Sequence, residues 1–260
     1  MFSFLRRLIT LRKVSDTLVI NEIYLSLQGE STFAGLPCVF IRLTACNLRC
    51  SYCDTAYAFT EGKKQTLDSV LTRVRELAAP FKNSPLITRH SSLPLVELTG
   101  GEPLLQKNSL LLMKSLCDDG FTVLLETSGA HDLSPVDPRV HRIMDLKCPG
   151  SGEAERNRWE NLQHLKNTDE IKFVIGTQED YDWTKQAIAE NKLAAICPLL
   201  ISWVHPLSPE QQDKSLKRVP PGQTPISRRE LAEKIIADAL PVRFQIQTHK
   251  VIWLAEQRGV

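Results

Sequence analysis

Three cysteines lie close together in the first quarter of the sequence, at Cys46, Cys50 and Cys53. Three thiolates in one loop can hold a metal group. A structural zinc site takes four ligands, usually as two cysteine pairs, and the cysteines further along this chain stand alone. A cubane iron–sulfur cluster held by three thiolates keeps one iron open for a small molecule. The spacing therefore favours an open cluster, with a zinc site and simple packing cysteines as the alternatives.

The overall composition limits the classes of partner. The chain has 260 residues, 42% hydrophobic and 24% charged, and its net charge is +2. This balance gives no reason to expect nucleic acid or an anionic membrane as a partner. No apolar run approaches the roughly 20 residues that span a bilayer. Seven cysteines, three of them crowded together, indicate a reducing cytoplasm in which thiolates bind a metal rather than a disulfide framework.

The domain organisation is expected to be simple. The first fourteen residues are basic and apolar, but Arg12 and Lys13 interrupt the apolar stretch that a signal peptide needs. We interpret residues 1–17 as an N-terminal extension with a short amphipathic helix, and residues 18–260 as one large domain. Residues 80–94 and 206–225 are rich in Pro, Ser and charge, so we expect surface loops or insertions there.

Short β-rich apolar runs alternate with stretches of helical periodicity, which predicts an α/β fold with a parallel sheet and crossover helices. The predicted strands are residues 18–25, 38–43, 95–98, 122–126, 142–146, 171–175, 196–201 and 242–247. The predicted helices are residues 66–79, 105–118, 156–166, 178–191 and 227–239.

Polar residues follow four of these strands, at the point where each strand ends. They occupy residues 99–103, 126–129, 145–147 and 247–250. In parallel α/β folds, chemistry collects at the carboxyl ends of the strands. We therefore expect these four groups to meet at one rim. Their convergence is stronger evidence for a functional site than any one of the groups alone.

The sequence Gly-Gly-Glu-Pro at residues 100–103, combined with the cysteine triad, resembles the radical S-adenosylmethionine superfamily. The resemblance implies that the three cysteines ligate a 4Fe-4S cluster and that the open iron chelates S-adenosylmethionine. Reduction would then yield a 5′-deoxyadenosyl radical, so the cofactor carries the chemistry and the protein orients it. The implied S-adenosylmethionine contacts are Tyr52, Cys53, Asp54, Gly100, Gly101, Glu102, Ser128, Asp145, Lys147 and Ser202.

A finer resemblance lies around the cysteines. Residues 26–31, 35–42 and 53–55 are similar to the 7-carboxy-7-deazaguanine synthase family, and the match continues through most of the chain from about residue 20. The family converts 6-carboxy-5,6,7,8-tetrahydropterin to 7-carboxy-7-deazaguanine with loss of ammonia, in the pathway to queuosine and other 7-deazapurines. Because several stretches deviate from eight regular βα units, we expect an incomplete, TIM-like βα barrel of the radical S-adenosylmethionine type rather than a closed one.

The same resemblance implies residues for the substrate. Gln28 and Glu30 can read the edge of a pterin through an amide and a carboxylate, and Arg42 can clamp a carboxylate. A solvated loop and a surface ion pair are the ordinary alternatives for these residues. The full implied set is Leu27, Gln28, Gly29, Glu30, Arg42 and Thr99. His249 is a further candidate to face the site, and a structural role for this histidine is an equal alternative.

The family also uses Mg²⁺, and position by position Thr55 is the implied magnesium ligand, although a turn or helix-capping threonine would look the same. The resemblance further implies a homodimer and an electron donor such as flavodoxin or ferredoxin. Residues 252–260 run beyond the last matched motif, so no role is transferred to them.

Two other functions remain open at this point. An activating enzyme for a glycyl-radical partner also carries a cysteine triad, but Gln28, Glu30 and Arg42 would then have no obvious task. A zinc-stabilised binding module is the non-enzymatic alternative.

Overall fold

A computed structural model describes residues 16–81, 94–254 and 256–260, which form one nine-stranded sheet with helices packed on it. The strands are β1 (Thr17–Leu27), β2 (Pro37–Leu43), β3 (Lys63–Thr66), β4 (Leu95–Gly100), β5 (Val123–Thr127), β6 (His141–Asp145), β7 (Glu170–Ile175), β8 (Leu199–Trp203) and β9 (Arg243–Gln245). The α-helices are α1 (Leu67–Ala78), α2 (Asn108–Asp118), α3 (Gln178–Glu190), α4 (Arg228–Ala237) and α5 (His249–Ile252).

The strand order is β3-β1-β2-β4-β5-β6-β7-β8-β9. Every pairing from β2 through β9 is parallel, whereas β1 pairs antiparallel with both β2 and β3. The two edge strands, β3 and β9, do not pair with each other, so the barrel is open. The predictions of a parallel sheet and of an incomplete TIM-like barrel are confirmed.

The two faces of the sheet have different tasks, because successive strand residues point to opposite faces. In β2, Val39, Ile41 and Leu43 belong to the large core that includes residues of the helices, while Cys38 and Phe40 belong to a second cluster. This smaller cluster also contains Leu95, Leu124 and Ile143. The inner face therefore carries its own apolar floor.

The loop of residues 28–36, which follows β1, lies against strands from the other half of the sheet. The Ser31 N–H donates to Gln245 Oε1 (2.9 Å), and the Thr32 N–H donates to Glu170 Oε1 (3.0 Å). Side chains of β7 and β9 thus fix the loop that contains the predicted substrate residues.

The predicted helix over residues 156–166 is wrong. The structure has short 3₁₀ turns there, Ala154–Arg156 and Trp159–His164. Asn161 is fully buried, and its side chain binds the carbonyls of Gly129 and His131. An asparagine held by distant backbone replaces the apolar face that a helix would need.

Other boundaries also differ from expectation. The strand predicted at residues 196–201 lies at Leu199–Trp203, and neither β3 nor α5 was predicted. Both elements are only four residues long, so periodicity gives little signal for them. The N-terminal extension up to residue 15 and most of the predicted loop at residues 80–94 lie outside the described residues. Within the described ranges, no helix is long and apolar enough to cross a membrane.

Candidate active site

A cavity of about 650 Å³ lies at the carboxyl ends of the parallel strands. All four polar groups expected at this rim contribute to its lining, represented by Thr99, Glu126, Asp145 and Gln247. The cysteine loop, residues 44–55, supplies one side of the cavity, and all three cysteines of the triad line it. The convergence expected from the strand ends is therefore confirmed.

The three cysteines have the properties that an iron–sulfur cluster requires. Cys46, Cys50 and Cys53 are free thiols. Burial raises the pKa of each of them, that of Cys50 to about 12, so a cationic group is needed to hold them as thiolates. No group of three or more His, Cys, Asp or Glu converges on a single ion among the described residues. The thiolates of a cubane cluster bind different iron atoms and need not converge in that way.

Two glycines, one ending β4 and one following it, pack against backbone at the end of β2 and the start of the cysteine loop. A Cβ on Gly101 would lie 2.0 Å from Ala45 O, and one on Gly100 would lie 2.3 Å from Leu43 O. Gly101 N–H donates to Leu43 O (3.1 Å), and Glu102 N–H donates to Ala45 O (2.9 Å). The glycines thus serve the close packing of the cysteine loop, in addition to lining the cavity.

Glu102 is fully buried and has a structural role, since it does not line the cavity. Its carboxylate accepts hydrogen bonds from Ser128 N–H (2.8 Å) and Ser128 Oγ (2.6 Å), and from the Thr127 hydroxyl (2.9 Å). Glu102 therefore fixes the end of β5, and Ser128 remains at the cavity wall. Ser202 is likewise fully buried, accepts a hydrogen bond from Gln245 (2.9 Å) and does not line the cavity.

Three buried polar atoms of cavity-lining residues lack a partner among the described residues. They are Asp145 Oδ1, the Tyr52 hydroxyl and His205 Nδ1. The other oxygen of Asp145 accepts from Lys147 Nζ (2.8 Å). Although burial opposes the charge, Asp145 raises the pKa of Lys147, which stays cationic. Because buried polar groups are normally satisfied, these orphaned atoms fit a polar cofactor such as S-adenosylmethionine.

A buried ion-pair network lies next to Asp145, since Lys172 of β7 is its register partner. Lys172 Nζ lies 3.1 Å from Glu30 Oε2 and also binds Glu126. Burial alone would lower the pKa of Lys172, but Glu126 and Glu30 raise it well above its usual value. Burial alone would raise the pKa of Glu30, yet the charge of Lys172 lowers it. Lys172 therefore keeps Glu30 ionised at the cavity surface.

Glu97 adds a further carboxyl group to this network. It is buried and lines the cavity. The Gln28 amide donates to Glu97, while its carbonyl accepts from Glu30 N–H (2.6 Å). These two bonds fix which end of the Gln28 amide points in each direction. Burial, then the charge of Glu126, raises the pKa of Glu97 well above its usual value.

Arg42 lies at the cavity with part of its guanidinium already engaged. Its Nε is 2.7 Å from Glu22 Oε1, and its Nη2 donates to the Tyr24 hydroxyl (3.0 Å). Tyr57 also contacts this group, since its hydroxyl donates to the same Glu22 oxygen (3.0 Å). Arg42 is therefore not a free side chain, since its Nε and Nη2 are already bound. Within the described part of the chain, its Nη1 is the guanidinium nitrogen left to contact a ligand carboxylate.

The end of the cysteine loop joins the C-terminal segment. Lys250 Nζ binds the Asp54 carboxylate, and although burial opposes ionisation, Lys250 lowers the pKa of Asp54 to about 2. Thr55 lines the cavity, and its hydroxyl does not cap the following turn. It lies 3.7 Å from Cys53 Sγ. Thr55 occupies the N-cap position of the turn Ala56–Phe59, as the ordinary alternative expects, but its side chain makes no capping hydrogen bond.

The C-terminal segment reaches the cavity. A Cβ on Gly29 would lie 2.4 Å from His249 Nδ1, so the glycine permits this close approach. Residues 256–260 also line the cavity, and the Arg258 guanidinium lies 3.7 Å from the centre of the Tyr57 ring. Arg258 also pairs with Glu61 (2.7 Å).

Most predicted site residues are brought together, but the sequence reasoning missed several. Leu27 and Gly29 line the cavity as expected, as do the other predicted residues apart from Glu102 and Ser202. The missed residues of the cavity wall include Glu22, Tyr24, Tyr57, Glu97, Lys172 and residues 210–213 and 256–260. A charged residue between apolar neighbours in a buried strand, as at Glu97 and Lys172, was an available signal.

Glu97→Gln is expected to flatten the pH dependence of stability. Because the folded state raises the pKa of this carboxyl group, its contribution is most favourable below the unfolded pKa and declines as pH rises above it. Glutamine has no proton to lose. The difference in melting temperature, variant minus wild type, should therefore grow from about pH 5 to about pH 8. A difference that is constant across this range would contradict the protonated state of Glu97.

Comparisons with known proteins bear on this site. Residues 40–148 match the Radical SAM superfamily. A 7-carboxy-7-deazaguanine synthase of Koribacter versatilis is 41% identical to this chain, and the match covers 93% of the chain and 99% of that protein. One of Chlorobaculum tepidum is 40% identical, with 93% and 96% covered. A crystal structure of QueE from Escherichia coli has a TM-score of 0.63 at 22% identity, covering 90% of this chain and 95% of that one, which supports the fold.

Proposed function

Because this chain belongs to the 7-carboxy-7-deazaguanine synthase family of radical S-adenosylmethionine enzymes, we propose that it converts 6-carboxy-5,6,7,8-tetrahydropterin to 7-carboxy-7-deazaguanine with loss of ammonia. The observation that carries the proposal is that one cavity contains both the cysteine triad and a network of Gln28, Glu30 and Lys172. Family membership sets aside both alternatives, glycyl-radical activation and a zinc-stabilised binding module.

The superfamily implies a 4Fe-4S cluster and S-adenosylmethionine. When bound and reduced, these cofactors supply an organic radical that abstracts a hydrogen from the substrate. Cys46, Cys50 and Cys53 would hold the cluster, and their free thiols at one cavity wall fit it. The unpartnered Asp145 Oδ1 and Tyr52 hydroxyl are suited to S-adenosylmethionine, and Lys147 keeps Asp145 in place. Gly101, Asp54 and Ser128 complete this part of the cavity.

The part of the cavity formed by Gln28, Glu30, Arg42 and Thr99 is suited to a pterin. The ring carries N–H and amino donors, and Glu30 offers an ionised acceptor whose charge Lys172 stabilises. The Gln28 amide, fixed by Glu97 and the Glu30 N–H, presents a defined donor. Thr99 is held by Glu126 (3.1 Å) and contacts the same space. Arg42 is positioned for the substrate carboxylate.

The side chains also protect the reaction from solvent. His249 lies against Gly29, and burial lowers its pKa, so this imidazole is neutral near pH 7. Residues 256–260 cover the side of the cavity next to Tyr57. Excluding water strengthens the electrostatic contacts of bound ligands and protects a reactive intermediate.

We also propose that Thr55 binds Mg²⁺. Its hydroxyl makes no helix-capping hydrogen bond, and it lines the cavity beside Cys53. Thr55→Ala should lower kcat by about 10-fold at limiting Mg²⁺, because one oxygen ligand is lost. Thr55→Ser keeps the oxygen and should retain most of the activity. The measurement is turnover against Mg²⁺ concentration for the three proteins. Identical Mg²⁺ dependence of wild type and Thr55→Ala would exclude Thr55 as the ligand.

The remaining parts of the proposal concern the whole protein. Residues 18–260 act as one catalytic domain, with residues 1–17 as an extension. We propose a cytoplasmic homodimer that receives electrons from a flavodoxin- or ferredoxin-like donor. Size-exclusion chromatography with light scattering tests the dimer, and reduction of the reconstituted cluster by each donor tests the electron source.

The turnover assay tests the proposed function itself. Anaerobically reconstituted and reduced enzyme, supplied with the carboxypterin, S-adenosylmethionine and Mg²⁺, should release the deazaguanine product. Arg42→Lys should mainly raise KM, because lysine cannot reproduce the contacts of a planar guanidinium.

A further inference from the structure

The insertion at residues 206–225, which sequence reasoning left without a role, lies across the cysteine loop. Lys217 N–H donates to Arg49 O (2.9 Å), and Gln211 Nε2 lies 3.5 Å from Asp54 O. The far end of the insertion is fixed at the start of α3, where Gln178 N–H donates to Thr224 O (2.8 Å). The insertion is therefore attached at both its cysteine-loop side and its helix side.

Glu153 binds the same residue of the cysteine loop through that residue's backbone N–H. Its Oε1 accepts from Arg49 N–H (2.7 Å), and its Oε2 pairs with Lys217 Nζ (3.0 Å). Lys217 Nζ also donates to Gly152 O (2.6 Å). Arg49 lies between Cys46 and Cys50. Glu153 binds its backbone N–H and Lys217 binds its carbonyl, so both backbone groups of this residue are held.

A second set of contacts lies next along the loop. Ser51 N–H donates to Ser151 O (3.0 Å), and Ser51 Oγ donates to Gly150 O (2.6 Å). Gly150 N–H in turn donates to the buried Asp180 carboxylate (2.6 Å) at the N-terminus of α3. The segment that receives the cysteine loop is therefore itself attached to a rigid helix.

We propose that Glu153 and Lys217 form a clasp that holds the cysteine loop in its ligating conformation and slows loss of the iron–sulfur cluster. The inference rests on the proposed function, since it assumes that the triad binds a cluster. Both are positioning residues, because they act through the backbone N–H and carbonyl of Arg49. A loop ordered in advance loses less conformational entropy when it binds its ligand, and such supporting groups typically change metal affinity by about 10–100-fold.

The two members of the clasp are expected to differ in weight. The Glu153 carboxylate is buried, whereas the Lys217 side chain is 48% exposed. An exposed ion pair contributes little, but a buried carboxylate that accepts a backbone N–H makes a strong, charge-assisted bond. Glu153→Gln should therefore have the larger effect and Lys217→Ala the smaller one.

The test measures iron release from the reconstituted holoenzyme. A ferrous chelator is added under anaerobic conditions, and the loss of the visible cluster absorbance is followed for wild type, Glu153→Gln and Lys217→Ala. Lys214→Ala, an exposed lysine of the same insertion, is the matched control. We expect release to be about 10-fold faster for Glu153→Gln and a few-fold faster for Lys217→Ala, with the control unchanged.

A second readout separates the clasp from general stability. The melting temperature of each cluster-free protein is measured, and a clasp predicts faster release even where this temperature is unchanged. Wild-type release rates in both clasp variants would overturn the proposal. If Glu153→Gln does not fold, Lys217→Ala alone decides it. If the wild type takes up no cluster at all, the proposed function and the clasp both fail, whereas a loaded wild type with unaffected variants defeats the clasp alone.

Discussion

Lys172→Met is expected to lower kcat/KM by about 100-fold or more and to destabilise the folded chain by about 3–5 kcal/mol. Lys172 is buried between Glu30 and Glu126, which lie on different elements of the cavity wall. Methionine fills a similar volume but leaves these carboxylates without their counter-charge. Glu30 would then take up a proton or move, and the acceptor proposed to read the pterin would be lost.

The pH dependence of this lysine has a defined sign. Its folded-state pKa is raised, so its stabilising contribution is complete at neutral pH. The contribution is lost as pH rises past the unfolded-state value, about 10.4, toward the folded-state value. The difference in stability between wild type and Lys172→Met should therefore disappear only in strongly alkaline solution.

Steady-state kinetics and thermal unfolding check the Lys172 prediction. Lys185→Met is the control, because Lys185 pairs with Asp238 at an exposed site away from the cavity. Wild-type kcat/KM together with a wild-type melting temperature in Lys172→Met would show that the buried network is not needed.

Gly101→Ala should impair cluster uptake, lowering iron retention by about 10-fold. The added Cβ would lie 2.0 Å from Ala45 O and 2.5 Å from Ala45 C, so backbone of the cysteine loop must move. Overpacking of this kind costs about 1–3 kcal/mol or more. The displacement would fall next to Cys46, the first residue of the triad.

Gly120→Ala provides the complementary control for that variant. Gly120 has a φ of +87° but open space at its Cβ, so alanine there is strained without meeting a neighbour. Iron content after reconstitution and the melting temperature of the cluster-free chain are measured for both variants. The expected result is low iron only in Gly101→Ala. Full cluster loading in that variant would show that the close packing is not required.

The parts of the site that follow a local pattern could be predicted from the sequence. The cysteine triad has a fixed spacing, and Thr99, Glu126 and Asp145 directly follow apolar runs and lie in the last two residues of β4, β5 and β6. Since parallel strands end at a common edge, their meeting in one cavity follows from the fold class alone.

The residues that were missed depend on contacts distant in sequence. Glu97 and Lys172 lie within apolar strands, and only the alternation of faces places them inside the barrel. The clasp of Glu153 and Lys217, and the covering residues 256–260, depend on how loops fold back over the rim. Sequence periodicity does not predict how loops fold back in this way. The helix expected at residues 156–166 was wrong for a similar reason, since Asn161 binds carbonyls that are distant in the sequence.

The proposed conversion is tested most directly by mass spectrometry of a single anaerobic reaction. Reconstituted, reduced wild-type enzyme is mixed with 6-carboxy-5,6,7,8-tetrahydropterin, S-adenosylmethionine and Mg²⁺. We predict that 7-carboxy-7-deazaguanine and ammonia form in equal amounts. Cleavage of S-adenosylmethionine with neither product formed would contradict the account.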